Sequence, residues 1–205
     1  MVILFVIIIL LFSVIIHEVA HGAMAYHLGD PTAKYAGRLS LNPVKHLDPI
    51  GSILVPLLLI LLPTKIVFGW AKPVPINPYN FKDQKYGQAK VAFAGAGTNL
   101  LIALIFGLCL RFFSSFFVSY PSLLFIFAII TFINLILAIF NLLPIPPLDG
   151  SHILFTFVSE KTKMFLQQYG IFILLFFMFF LLGELFVLIR FIFELIVGFS
   201  PNLIF

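Results

Sequence analysis

Charged side chains are scarce in this sequence, which excludes most classes of soluble protein. Only 10% of the 205 residues are Asp, Glu, Lys or Arg, whereas 62% are hydrophobic and the mean hydropathy is +1.17. This composition lies outside the range of soluble globular domains and predicts an integral membrane protein, with about four to six spans of about 20 residues each. The formal charge of +4 does not indicate nucleic-acid binding, because the Lys and Arg residues lie between the apolar segments, where they orient membrane proteins.

Three other features are missing, and each excludes an arrangement. The single cysteine, Cys109, cannot form an intramolecular disulfide. No basic stretch precedes the first apolar run and no small-residue cleavage site follows it, so residues 1–27 are expected to belong to the mature protein. No internal repeat is present, which disfavours a transporter because transporters usually show repeated halves.

The first apolar run, at about residues 1–26, contains the motif on which the functional interpretation depends. Near its end the sequence reads His-Glu-Val-Ala-His, from His17 to His21. A helix places residues four apart on one face, so both imidazoles can bind one zinc ion while Glu18 lies beside it. In this His-Glu-x-x-His arrangement the metal activates a water molecule and the glutamate takes its proton. A polar helix cap is the alternative, but ionisable side chains are costly within an apolar run unless they are ligands or are paired.

The remaining apolar runs predict the other membrane segments. Long helices are expected at about 88–113 and 123–142, joined by an uncharged turn at 114–122, and a last apolar tract occupies 169–199. The run at 50–62 is broken and closed by prolines and is too short for a span, so it predicts a re-entrant segment.

A stretch of β-favouring residues follows at 65–70, and three prolines come after it. It predicts a strand or a hairpin that dips into the protein. The predicted fold class is therefore an all-α polytopic membrane protein, a helical bundle with a short re-entrant segment and a β-hairpin-like loop. One membrane-embedded domain is expected over 1–205, with its core at 1–155 and the C-terminal helical tract at 169–199.

The His pair needs a third protein ligand, because a catalytic zinc ion normally has three and keeps one open position for water. Asp149 is favoured, since it follows a segment broken by three prolines that can bend back toward a neighbouring helix. Irregular backbone at a membrane end is tolerated only against protein or water, so this segment indicates a functional site. His152 is an alternative, as ligand or as the partner of a ligand, and His46 is expected to be structural in its loop. Asp48 and Glu160 also lie near membrane boundaries.

Together these segments resemble the site-2 protease family of intramembrane zinc metalloproteases, in its compact branch without PDZ or CBS domains. The resemblance is carried by the His-Glu-x-x-His run, by the Gly-x-x-x-Asn from Gly95 to Asn99, and by the stretch 141–150 with its Leu-Asp-Gly ending. The loop at 42–49 is also similar to that branch. Ala96 is a departure, because many relatives have proline at this position.

The resemblance implies a set of site residues and an activity. The activity is the hydrolysis of peptide bonds in or near the transmembrane segments of substrate proteins, with one zinc ion per chain. The implied residues are the zinc ligands His17, His21 and Asp149, the catalytic base Glu18, and Asn99 and Asn141 along the substrate groove.

The predicted partners are a transmembrane protein substrate and the lipid bilayer, and no nucleic acid. A peptide bond within a substrate helix is shielded and hydrogen-bonded, so the substrate must unwind locally before it is cut. Val67 and Phe68, in the predicted strand, would then pair with the unwound backbone.

The distribution of positive charge predicts the orientation in the membrane. Eight of the 12 Lys and Arg residues lie in 28–90, and the turn at 114–122 has none. The zinc end is therefore expected to face the cytoplasm, in the cell (plasma) membrane. Two other functions stay open: a membrane zinc hydrolase that acts on a non-peptide substrate, and a transporter or proton relay that uses the buried His and Glu residues.

Overall fold

The computed structural model of the protein describes residues 2–48, 51, 54, 58 and 72–201. Regular structure within these residues is helical, which confirms the predicted all-α polytopic class. The predicted strand at 65–70 and most of the predicted re-entrant segment at 50–62 lie outside the described residues, so both stay predictions.

Among the described residues, four helices are long and apolar enough to cross a membrane. They are α1 (Val2–His27), α3 (Gly87–Phe112), α5 (Pro121–Asn141) and α7 (Glu160–Phe180). The shorter helices are α2 (Thr32–Tyr35), α4 (Ser114–Ser119), α6 (Asp149–Leu154) and α8 (Leu182–Val197), with 3-10 turns at Pro43–His46 and Pro78–Asn80. The protein is therefore a multi-pass membrane protein.

Helices α1 and α5 run in the same direction, and α3 runs against both. Contacts along α1 come in reverse order along α3, and contacts along α3 come in reverse order along α5. Both α1 and α5 therefore finish at the same end of the bundle, which we call the motif end. The irregular segment after α5 can then bring Asp149 to the end of α1.

The apolar core lies between α3, α5 and α8. Its centre contains Leu110, Leu135, Ile189 and Phe193, all at most 1% exposed. Gly107 lets α8 approach α3 closely, because a Cβ atom there would lie 2.6 Å from Cγ2 of Ile196.

The connection after α3 differs from the predicted uncharged turn at 114–122. Residues Ser114–Ser119 form helix α4, and its Phe117 is only 4% exposed within the core cluster. Pro121 belongs to α5, which it begins, because proline has no N–H to satisfy at the first position of a helix. The prediction of a plain turn was wrong for these residues, since the helix lets Phe117 bury its side chain in the core.

The predicted tract at 169–199 is divided into two helices. Helix α7 begins at Glu160, nine residues earlier than predicted, because Ser159 caps it by accepting a hydrogen bond from the Thr162 N–H at 3.3 Å. The break between the two helices falls at Leu181. At the end of α8, the Arg111 guanidinium donates to the carbonyl oxygen of Leu195 at 2.5 Å, which holds α8 beside the end of α3.

The loops at the motif end are tied together by Asp30, which is fully buried. Its carboxylate accepts hydrogen bonds from the Thr32 hydroxyl at 2.5 Å, from Nδ2 of Asn80 at 2.8 Å, and from the backbone N–H groups of Asn77 at 2.7 Å and Thr32 at 3.1 Å. These bonds outweigh burial and hold the pKa of Asp30 below its ordinary value. The segment after residue 72 is thereby fixed against the end of α1.

Candidate metal centre

The end of α1 and the start of α6 bring three possible ligand atoms together. Nε2 of His17 lies 2.9 Å from Nε2 of His21. One carboxylate oxygen of Asp149 lies 3.1 Å from the first of these nitrogens and 3.2 Å from the second. Both histidines are 7% exposed, so the cluster is largely shielded from solvent.

Gly95 of α3 provides the space for the two imidazoles. A Cβ atom at this position would lie 2.5 Å from Nε2 of His21 and 2.8 Å from Cε1 of His17. Any larger residue would displace both rings. The glycine is therefore a packing residue, and what packs against it is the candidate site itself.

The hydrogen bond of the second ring nitrogen of His21 fixes the tautomer and the orientation of this ring. Its Nδ1 donates a hydrogen bond to the carbonyl oxygen of Val91 at 2.7 Å, and a carbonyl oxygen can only accept. The Nε2 atom of the neutral ring therefore carries no proton, and its lone pair points toward the cluster.

A chain of buried amides fixes His17 in the same way. Asn134 donates to the carbonyl oxygen of Ile130 at 2.9 Å, so its own oxygen is left to accept from Asn99 at 2.7 Å. Asn99 also donates to the Ser13 carbonyl at 3.3 Å, and its oxygen accepts from Nδ1 of His17 at 2.6 Å. Both asparagines are 0% exposed. The Nε2 atom of His17 therefore also carries a lone pair and no proton.

These three atoms fit a metal ion. Two imidazole lone pairs and a carboxylate oxygen are all acceptors, so they repel one another unless a cation lies among them. Their separations of 2.9, 3.1 and 3.2 Å match the edge of a tetrahedron around zinc, about 3.3 Å for ligands at 2.0–2.1 Å.

Glu18 is beside the cluster but is not part of it. One carboxylate oxygen accepts a hydrogen bond from the backbone N–H of Val74 at 2.8 Å. Glu18 and the three clustered side chains line one cleft of about 440 Å³, whose walls also include Val74, Asn141 and His152. This placement suits a proton acceptor next to a metal ion.

Arg38 holds the segment that contacts Glu18. Arg38 is 7% exposed, and its guanidinium donates to the carbonyl oxygens of Lys72 at 2.5 Å and Pro73 at 3.3 Å. Val74, which donates to Glu18, follows directly. Sequence reasoning missed this role, because a loop arginine carries no signal of its partner.

The other predicted residues are placed differently. Asn99 lies behind His17 and is not among the cleft walls, whereas Asn141 lines the cleft and donates to its own helix at the Leu137 carbonyl at 2.9 Å. His46 is 1% exposed and donates to the Ser40 carbonyl at 2.7 Å, and its structural role stays a prediction.

The remaining predicted residues are those proposed to contact the substrate, and the alternative ligand His152. Val67 and Phe68 lie outside the described residues. Contact of these two residues, and of Asn99 and Asn141, with substrate stays a prediction. His152 lines the cleft, and burial lowers the pKa of its ring.

Comparison with known proteins places the chain in a family. The family model described as "Peptidase family M50" matches residues 118–183, which include Asn134, Asn141 and Asp149. A protein of Bacillus subtilis (strain 168) named "Putative zinc metalloprotease YwhC" is 38% identical over 169 residues, which make up 80% of this chain and 74% of the relative. The chain belongs to peptidase family M50. This M50 membership confirms the resemblance to the site-2 proteases.

Two further relatives of this M50 chain carry similar names. "Putative zinc metalloprotease Rip2" of Mycolicibacterium smegmatis is 30% identical over 164 residues, or 78% of this chain and 61% of the relative. "Putative zinc metalloprotease MJ0611" of Methanocaldococcus jannaschii is 40% identical over 93 residues, or 44% of this chain and 46% of the relative. No solved structure gave a significant match.

Proposed function

We propose that this M50 chain is a zinc-dependent intramembrane endopeptidase, which hydrolyses peptide bonds in or near the transmembrane segments of other proteins. One observation carries the proposal: three acceptor atoms converge within 2.9–3.2 Å of one another beside Glu18. They do so at the ends of helices long enough to span a membrane. The names of the relatives support the metal and the reaction class.

In this proposal the three clustered side chains, His17, His21 and Asp149, hold one zinc ion per chain. Bound zinc would lower the pKa of a water molecule to about 7 and polarise the scissile carbonyl. Glu18 removes a proton from that water and passes it to the leaving amine. The Val74 N–H, 2.8 Å from the Glu18 carboxylate, keeps this base oriented during the transfer.

The substrate backbone is unwound when it reaches the cleft. An extended peptide leaves N–H and C=O groups unpaired in a low-dielectric site, and each such group costs on the order of several kcal/mol. We propose that Val67 and Phe68 offer an edge strand that pairs with some of these groups, with Asn141 contacting the substrate at the cleft wall. Recognition is then mainly of backbone and only loosely of side chains.

The motif end of the bundle faces the cytoplasm in this proposal, in the cell (plasma) membrane. It is supported by the eight of 12 Lys and Arg residues that lie in 28–90 and by the uncharged connection at the other end. An impermeant thiol reagent added to intact cells should label a cysteine at position 118 and not one at position 80. Labelling of position 80 from outside would contradict the orientation.

The test of the activity uses purified protein and a set of single-span peptides that carry a Pro–Gly break. Wild-type protein is expected to cut at least one of them, and Glu18→Gln is expected to cut none while it keeps its zinc. Glu160→Gln, a matched change at an 81% exposed side chain, should cut like wild type. A Glu18→Gln protein with full activity would falsify the assignment of the base.

A further inference from the structure

The imidazole of His152 lines the cleft but has no role in the proposed function. Within the described residues, neither of its ring nitrogens has a hydrogen-bond partner, although it packs edge-on against Phe155 with ring centroids 6.0 Å apart. Each cluster histidine, by contrast, uses both ring nitrogens. A neutral imidazole always carries one N–H, so His152 offers a free donor to whatever occupies the cleft.

The position of His152 suits a contact with the reacting group. It lies three residues after Asp149 in α6, so the two side chains project from neighbouring positions on one helix face. Glu18 reaches the same cleft from α1. The base and the free donor therefore come from two different helices, and the three clustered ligand atoms lie in the same cleft.

The other polar candidates for such a donor are committed or buried. Asn99 is 0% exposed, and both of its amide atoms are bonded to other protein groups. Asn141 lines the cleft, but its Nδ2 donates to the Leu137 carbonyl of its own helix at 2.9 Å. His152 can donate without breaking a bond that the structure already has.

We propose that His152 donates its ring N–H to the scissile carbonyl oxygen as this oxygen gains negative charge. The inference rests on the proposed peptidase function. The oxygen of water bonds to the carbonyl carbon, the C–N bond breaks, and both protons of the water end on the leaving amine, giving a carboxylate and an ammonium group. Glu18 carries the two protons of the water to the amine one after the other, whereas the proton of His152 stays on its ring. A hydrogen bond that strengthens only as charge develops accelerates the reaction without tightening substrate binding.

The kinetic test compares three variants on the single-span peptide that wild-type protein cuts. His152→Phe keeps the ring that packs on Phe155 but removes the donor, and should lower kcat by about 10²- to 10³-fold with KM unchanged. His152→Gln keeps an N–H and should recover part of the rate. His27→Phe, a change outside the cleft walls in the last turn of α1, is the matched control and should retain the wild-type rate.

A binding test separates this role from a structural one. The probes are the uncut peptide, bound to proteins that also carry Glu18→Gln, and the same peptide with a tetrahedral phosphinic group at its cleavage site. His152→Phe should leave the affinity for the uncut peptide unchanged and lower the affinity for the phosphinic peptide by about 10²-fold, because only the phosphinic peptide resembles the transition state. Zinc content should equal that of wild type.

Each other outcome overturns the inference. An unchanged kcat in His152→Phe means that the donor is elsewhere, and Asn141→Ala would then be expected to lose the rate. Zinc loss in His152→Phe, or equal weakening of both peptides, means that His152 acts through the ligands or through ordinary binding. Failure of the proposed function is distinguishable, because wild-type protein would then cut no peptide or Glu18→Gln would remain active.

Discussion

At the scale of single residues, the two buried asparagines decide which way the lone pair of His17 points. Asn134 orients Asn99, and Asn99 accepts the Nδ1–H of His17 at 2.6 Å. Partners of this kind raise the basicity of a metal-binding histidine and hold its ring in one orientation.

Replacement of Asn134 by Ala should weaken zinc binding. The change leaves the Asn99 amide free to turn, so His17 loses its fixed tautomer, and zinc affinity should fall by about 10- to 100-fold. Competition with a zinc chelator measures the affinity. Thr131→Val is the control, since Thr131 is also 0% exposed in α5 but its hydroxyl bonds only to the Phe127 carbonyl of its own helix. Equal zinc affinity in Asn134→Ala and wild type would show that the amide chain does not act on the site.

The sequence predicted the pairing of the two histidines but not the partners of the buried asparagines. His17 and His21 could be paired because helical spacing alone puts them on one face. Asn99 needs a partner, as any buried amide does, but which partner depends on how three helices meet. Asn134 is likewise a buried amide in an apolar helix, but no motif marks it.

At the scale of elements, the loops after α1 hold the cleft wall that touches Glu18. Asp30 ties the end of α1 to Asn77 and Asn80, and Arg38 holds the two carbonyls before Val74. These buried bonds to charged groups are stronger than neutral ones. They make the wall a fixed part of the site.

Asp30→Asn should lower stability in a pH-dependent way. The folded protein holds the pKa of Asp30 below its unfolded value of about 3.9, so the carboxylate stabilises the fold at every pH above that value. The stability is lost as pH falls through the lower, folded pKa. Thermal unfolding in detergent should therefore show a lower Tm for Asp30→Asn at pH 5–8, with the difference shrinking below about pH 4.

The control for this measurement is Asp83→Asn. Asp83 forms a surface ion pair with Lys90 at 2.6 Å, and exposed pairs contribute little because water screens them. Its Tm should stay close to wild type across the range. A constant Tm difference for Asp30→Asn down to pH 2 would contradict the role of the ionised carboxylate.

Elements were predictable where one property dominates. The first three long spans were placed within two residues of their observed starts, because the length of an apolar run fixes a membrane helix. Helix α4 and the start of α7 were missed, since both depend on weaker signals: aromatic burial in the first case and a serine cap in the second. Composition alone does not distinguish a segment with such signals from a turn.

At the scale of the whole molecule, the bundle brings distant parts of the chain to one end. His17 and Asp149 are 132 residues apart in sequence, yet their side chains are 3.1 Å apart. The parallel course of α1 and α5 makes this possible, and α3 between them supplies both the space at Gly95 and the amide at Asn99. The site therefore depends on the assembled bundle and not on the first helix alone.

The metal centre itself is tested most directly by X-ray absorption at the zinc edge on purified protein of measured zinc content. The account predicts one zinc ion per chain, with two imidazole nitrogens and carboxylate and water oxygens at about 2.0–2.1 Å. Asp149→Ala should lose one oxygen ligand and bind zinc more weakly, and His17→Ala should lose an imidazole. Zinc with no imidazole ligand, or a protein that binds the same amount of zinc after both histidines are replaced by Ala, would contradict it.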